Sequence, residues 1–199
     1  MKIKAGKGKS VSIRSRHVHT LVIGSGASGL NAAVQLHSHG VEDVLILTEG
    51  LDKGTSINTG SDKQTYYKIG MYGSAKDSPE LLAESFFNGG SMHGDLALVE
   101  ACHSARAFYN LVNLGVNFPR DRYGQFIGYK TDHDPFRRAT SVGPYTSREM
   151  CRRLIKEVER RNIEVVEDRV AVSLLTVDED GHKRACGAVA LNCSSAAKD

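Results

Sequence analysis

No stretch of this 199-residue chain approaches the ~18 consecutive apolar residues that a membrane helix requires, so no membrane span is expected. Met1 to Arg16 lacks the apolar segment of a secretory signal, which makes a cytoplasmic protein the expectation. The four cysteines, Cys102, Cys151, Cys186 and Cys193, include no C-x-x-C pair, and in a reduced compartment they are expected as free thiols. Acid is missing from the beginning: Lys2, Lys4, Lys7, Lys9, Arg14 and Arg16 all precede Glu42, the first carboxylate. No aromatic is interleaved with these cations, so residues 1–17 read as a flexible, solvated basic segment rather than a nucleic-acid arm. The eight histidines lack the further ligands that a closed metal site needs. Even Asp132-His133-Asp134 reads as a polar loop, so no metal site is expected. There is no internal repeat and no long low-complexity linker.

What is present is a soluble α/β composition, 40% hydrophobic and 25% charged, long enough for one core with a small subdomain. Its most informative stretch is Leu21-Val-Ile23 followed by Gly24-Ser25-Gly26-Ala27-Ser28-Gly29. A β-branched run breaking into G-x-G-x-x-G and passing directly into a helix is a dinucleotide phosphate signature. Gly24 allows the tight turn, Gly26 lets the backbone approach a pyrophosphate, and Gly29 lets helix and strand pack closely. Free N–H groups and the helix dipole then favour the phosphates. Leu30, Ala33, Val34 and His37 continue at helical spacing, and Gly40 is the expected stop.

Val44-Leu-Ile-Leu47 is the second strand, and an acid about 20 positions past the last glycine would hold a ribose hydroxyl. Glu49 has that spacing, but Thr48 stands equally near the strand end, and both are retained as candidates. A nicotinamide-binding module should return promptly with another helix and strand. Residues 50–73 instead form a long polar stretch. Its hydroxyls, backbone donors and cations, from Lys53 through Lys63, suit the pyrophosphate and isoalloxazine of FAD, a flexible surface loop being the plainer alternative.

Further on, Ser78-Pro79-Glu80 starts a helix that Gly89-Gly90 ends. Asp95 is expected to cap a longer helix to about Leu114, with Leu96, Val99, Cys102, Phe108, Leu111 and Val112 as its apolar face, ended by Gly115. Asp121 to Gly124 reads as a turn between short strands. Thr146 or Ser147 is expected to cap a third helix that buries Met150, Leu154, Ile155 and Val158. Ile163 to Val166 is the next parallel strand. Val172–Val177 and Ala185–Leu191 form a hairpin expected to cover one face of the sheet. The fold class is therefore α/β: a Rossmann-like dinucleotide-binding domain with a parallel sheet, flanking helices and an antiparallel hairpin. It spans residues 18–192 between the basic segment and a tail at 193–199.

The fingerprint, the strand end Leu47-Thr48-Glu49, the loop Gly54-Thr-Ser-Ile-Asn-Thr-Gly-Ser61, and Gly94-Asp95 before the helix ending Asn113-Leu-Gly115-Val-Asn-Phe118 carry a resemblance. In this order the motifs resemble the succinate dehydrogenase/fumarate reductase flavoprotein family, which includes aspartate oxidases and adenylylsulfate reductase flavoproteins. The resemblance covers residues 18–192.

It implies FAD, with Gly24, Ser25, Gly26, Ala27, Ser28 and Gly29 at the diphosphate and Thr48 or Glu49 at the adenosine ribose. It also implies that Thr55, Ser56, Asn58, Thr59, Gly60 and Ser61 run along the diphosphate and flavin ring, and that backbone near Arg169 and Val170 lies beside the adenine. Ile57 stands where covalent members carry the flavin-linking His, which implies non-covalent flavin. The implied activity is hydride transfer through the flavin, with a dicarboxylate as substrate of the full-length protein and an iron–sulfur or other electron-transfer partner. The family's distal Ala-Thr-Gly-Gly segment, capping domain and C-terminal return find no match here. The chain is thus expected to be a fragment with no catalytic residue of its own, holding FAD weakly or not at all and turning over no substrate. An NAD(P)-binding module or a non-catalytic remnant are the alternatives.

Overall fold

A computed structural model describes residues 2–5, 9–61, 64–70, 76–131, 134 and 136–194. The first 17 residues, expected without regular structure, contain an antiparallel pair, β1 (Lys2–Ala5) and β2 (Lys9–Ser12). Arg16 forms a two-pronged ion pair with Glu164, which fastens the end of this segment to the sheet.

β3 (Thr20–Ile23) leads through Gly26 into α1 (Ala27–Ser38), and α1 returns by Gly40, at φ +86°, to β4 (Val44–Leu47). β3 and β4 are parallel, with Thr20 opposite Val44 and Ile23 opposite Leu47. The long polar stretch holds a single helical turn, α2 (Thr55–Asn58), and the short strand β5 (Tyr66–Tyr67). Two helices follow, α3 (Pro79–Asn88) and α4 (Gly94–Asn113). The Ser78 hydroxyl caps α3 by accepting from the N–H of Leu81.

The cap of α4 differs from expectation. His93 Nδ1 accepts from the N–H of Asp95 at 3.2 Å, so Asp95 lies inside the helix. Its buried face differs too: Ala97, Ala101 and Ser104 are inside with Phe108 and Leu111, whereas Leu96, Val99 and Cys102 are exposed. The reason is close packing, since Leu82 and Ala83 of α3 rest on Ala97 and Ala101, where small side chains let the two helices approach.

The Asp121–Gly124 turn is held by Gly124 N–H on the Asp121 carbonyl and is flanked by a single Arg120–Phe126 bridge instead of strands. β6 (Ala139–Thr140) pairs antiparallel with β5. α5 (Thr146–Arg160) begins one residue earlier than a Thr146 cap would require and two earlier than a Ser147 cap would. Thr146 instead accepts from Val142 N–H, and the side chain of Gln64 takes the N–H of Ser147 at 3.0 Å.

β7 (Glu164–Val166) adds parallel to β4, completing the order β3-β4-β7. α1 and α5 bury Leu30, Ala33, Val34, Cys151, Leu154 and Val158 against Val44, Ile46 and Ile163. Each large member contributes about 1.5–3 kcal/mol by leaving water. Ile155 is only half-buried at the edge of this face, and Met150, also half-buried, packs instead against the cluster of Phe108 and Phe118. The chain closes in the hairpin β8 (Arg169–Glu179) and β9 (His182–Asn192). The hairpin does not cover a sheet face. It joins β4 at its root, through Arg169 N–H on the Thr48 carbonyl, and exposes Val172, Leu174, Val177 and Leu191 beyond it.

A second centre lies under β5 and β6. Phe108, Phe118, Phe126 and Tyr66 form an aromatic cluster, so Phe118 is core, and Lys68 Nζ sits 5.0 Å from the Phe108 ring centre. Arg138 is wholly buried, donating to Asp77 at 2.9 and 2.6 Å, to Ser85 at 2.8 Å and to Asp134 at 3.2 Å. Burial pushes the Asp77 carboxyl up, and hydrogen bonds from Arg138, Gly70 and Ser78 more than reverse this, leaving it below the ordinary range. Asp132, His133 and Pro135 lie outside the described residues.

Candidate cofactor site

A cleft of about 470 Å³ opens where β3 and β4 end, with Gly24, Gly26, Glu49 and Ser56 on its walls and Arg169 and Val170 at one side. Its position outside the carboxyl ends of parallel strands is where open α/β sheets take ligands.

The fingerprint glycines have separate structural reasons. Gly24 sits at φ +97° and its N–H bonds the Leu47 carbonyl at 2.8 Å, so the turn both reverses the chain and stays in the sheet. A Cβ on Gly29 would lie 2.2 Å from the Gly24 carbonyl oxygen, so only glycine lets α1 come this close to the turn. A Cβ on Gly26 would point toward the second loop, 3.4 Å from Ser56 Oγ, into the cleft. Ser56 Oγ also accepts from Ala27 N–H at 3.3 Å. Among the described residues no protein group takes the N–H of Gly26 or Ser28, which leaves donors at the start of α1 for an anion.

The structure separates Thr48 from Glu49. Thr48 is buried, its hydroxyl 2.7 Å from that of Ser25, and both hydroxyls turn to the Gly50 carbonyl. Ser25 and Thr48 therefore tie the two strand ends together at the floor of the cleft, which both line. Glu49 is exposed at the cleft edge, while its carbonyl accepts from Lys53 Nζ at 3.0 Å. Lys53 also pairs with Asp168 at 3.5 Å, and Arg169 and Val170 follow Asp168 on the same rim. Lys53 and Gly54, which open the polar stretch expected at the cofactor, belong to the lining, and so does Ala171, whose only signal in the sequence is adjacency to Val170.

The second loop is brought to the cleft only in part. Thr55 and Ser56 line it, but Ile57 turns into the core. Asn58 donates to the carbonyl of Gly54 at 3.1 Å and Thr59 to that of Thr55 at 2.7 Å, so both side chains stabilise their own turn. Gly60 lies under the Tyr145 ring, and Ser61 N–H bonds the Pro144 carbonyl at 2.8 Å. Among the described residues no helix is long and apolar enough to cross a membrane, and no group of three or more potential metal ligands gathers.

This combination fits the diphosphate end of FAD: a glycine cradle with open N–H donors, a free carboxylate across from it, and a second glycine loop as the far wall. Comparison with known proteins agrees. The FAD binding domain family matches residues 19–198. A fumarate reductase (CoM/CoB) polypeptide of Methanothermobacter marburgensis is 29% identical over 166 residues, covering 79% of this chain and 29% of that protein. L-aspartate oxidase of Nostoc sp. is 32% identical over 166 residues, covering 81% of this chain and 27% of its own length. Sdh1 of Mycobacterium smegmatis superposes with a TM-score of 0.73 at 20% identity, over 87% of this chain and 30% of that one. The chain thus spans under a third of the length of these relatives. It belongs to the FAD binding domain family, within the succinate dehydrogenase/fumarate reductase group of flavoproteins, and its cofactor is FAD.

Proposed function

We propose that this chain holds the adenosine diphosphate half of FAD in the cleft and serves a flavin-dependent oxidoreductase of the fumarate reductase/succinate dehydrogenase type. The observation that carries the reading is that Gly26, with its open N–H donor at the start of α1, and the exposed Glu49 carboxylate line one cleft. In this reading the amides of Gly26 and Ser28 take the diphosphate, Glu49 the ribose hydroxyls, and the backbone around Arg169 and Val170 the adenine. Thr55 and Ser56 close the diphosphate from the other side. Ser25 and Thr48 act underneath, holding Gly24 and Gly50 in place. Bound FAD supplies hydride transfer. The protein's part is to place it. A dicarboxylate substrate and an iron–sulfur or other electron-accepting partner belong to the whole flavoprotein, supported by the named activities of the relatives.

Titration with FAD followed by flavin fluorescence tests this. FAD should bind, ADP should compete, and FMN, which lacks the adenosine and one of the two phosphates, should not. Binding of NADH in preference to FAD, or competition by FMN as strong as by ADP, would overturn it. No fumarate reduction or succinate oxidation is expected from residues 1–199 alone, since the cleft takes the adenosine diphosphate half of FAD and not the ring at which a substrate would react.

A further inference from the structure

The geometry points to Arg148 as a positioning residue that sets the shape of the loop 57–61 and, through it, the seat of the flavin end of FAD. This rests on the proposed function, which puts the adenosine end at Glu49 and Val170. FAD then runs past Gly26, and its other end lies along the continuation of the loop that begins at Gly54.

Beyond the turn that Asn58 and Thr59 close on Gly54 and Thr55, that continuation has no regular structure. It is one helical turn followed by extended residues, and Thr59, Gly60 and Ser61 are all exposed. Its shape is fixed from outside, by the first turn of α5. Arg148 Nε donates to the Ile57 carbonyl at 3.0 Å, a group at the end of the helical turn. The same guanidinium stacks on the Tyr145 ring, 4.2 Å from its centre, and that ring also covers Gly60 so closely that a Cβ there would lie 2.3 Å from it. Gly60, Tyr145 and Arg148 are thus joined in one contact chain, which bends back to bond the loop three residues earlier. Pro144 receives Ser61 N–H, and Gln64 reaches Ser147 N–H, closing the far end.

Arg148 is chemically suited to this and a point charge is not. Nε–H lies in the plane that stacks, so one flat group makes the hydrogen bond and the ring contact together. It holds the carbonyl of Ile57, the residue just after Ser56, whose hydroxyl faces Gly26 and Ala27. Arg148 thereby links α5 to the diphosphate cradle without lining it.

The discriminating measurement is the ratio of FAD to ADP affinity in wild type, Arg148→Ala and Arg148→Lys, because ADP reports the cradle alone. Arg148→Ala is expected to weaken FAD about tenfold while leaving ADP unchanged, the size of one lost hydrogen bond and its stack. Arg148→Lys should recover part of the loss, since its ammonium reaches the carbonyl but does not stack as a plane. Hydrogen exchange in the cofactor-free protein should show amides 57–61 exposed in Arg148→Ala, with β3 and β4 unchanged. An unaltered FAD-to-ADP ratio overturns the inference and leaves the cleft reading intact. Equal loss of both ligands overturns it also, by showing a fold-wide effect. Wild type binding neither ligand overturns the cleft reading and this inference with it.

Discussion

Replacing Gly29 by Ala separates the architecture of the cleft from its chemistry. The new Cβ would start 2.2 Å from the Gly24 oxygen, 3.2 Å from its carbonyl carbon and 3.4 Å from Val22 Cγ1. A carbon and a carbonyl oxygen rest at about 3.3–3.6 Å, so α1 must withdraw from the turn by about 1 Å. The obstacle is backbone on both sides, and no rotamer relieves it. Overpacking of this kind costs about 1–3 kcal/mol, and the better helix propensity of Ala returns less than about 1 kcal/mol near a helix start. The net loss of about 1–2 kcal/mol lowers the melting temperature by roughly 2–8 °C in a chain of this size. The retreat also pulls the donors at Gly26 and Ser28 away from the strand end, so FAD affinity should fall in the fraction that remains folded. Thermal and urea melts give the first effect, and fluorescence titration well below the melt gives the second. Gly26→Ala is the control: its Cβ has nearly ordinary space beside Ser56, and φ is −70°, so it should melt like wild type. If Gly29→Ala melts and binds FAD as wild type does, the close approach of helix and turn is not what shapes the cleft.

Gly26→Val should fold, because its backbone is extended, yet lose at least ~tenfold in FAD affinity as the branched side chain fills the cleft; unchanged affinity would place the diphosphate elsewhere. FAD bound to the chain should be released intact by acid, since Ile57 offers no nucleophilic nitrogen; flavin remaining with the precipitated polypeptide would refute this. Asp77→Ala strands the buried guanidinium of Arg138 and should cost about 3–5 kcal/mol in urea denaturation, against a loss below ~1 kcal/mol if the pair is not structural. The Glu157 carboxyl is held down to about 2 by Arg160 and Arg161 against its burial. A depressed folded value means that this stabilisation is whole above the ordinary 4.5 and is lost as pH falls toward 2. Glu157→Gln should therefore be less stable than wild type near neutrality, the two curves converging in acid; parallel curves down to pH ~2 would remove the ion pair from the account.

The strand–turn–helix around Gly24 to Gly29 was readable because local sequence and tertiary demand coincide there. A buried strand, a positive-φ turn and a close helix contact each leave a residue-type mark. The apolar face of α4 was not readable in the same way. Side-chain size suggested Leu96 and Val99, but the neighbouring α3 comes close enough to require Ala97 and Ala101, and only the partner helix decides that. The caps of α4 and α5 failed for a related reason. His93 does the work of Asp95, and Gln64, 83 residues away in sequence, serves Ser147, so the satisfying group is not among the usual local candidates. At the cleft, spacing alone left Thr48 and Glu49 equal. What distinguishes them is the Ser25 hydroxyl, a contact across 23 residues that commits the Thr48 hydroxyl to the protein, although Thr48 still lines the cleft floor.

That inward-facing pair of hydroxyls has a kinetic meaning. With Ser25, Thr48 and the Gly50 carbonyl bound to one another, the turns that follow two separate strands form a single stiff floor before any cofactor arrives. Little backbone has to be ordered during capture at this end. Association of an adenine dinucleotide should then approach the rate of a simple docking encounter, with a single-exponential approach to equilibrium and a rate linear in protein concentration. Breaking the pair with Thr48→Val, which keeps the shape and removes the hydroxyl, should slow capture before it affects how long the cofactor stays.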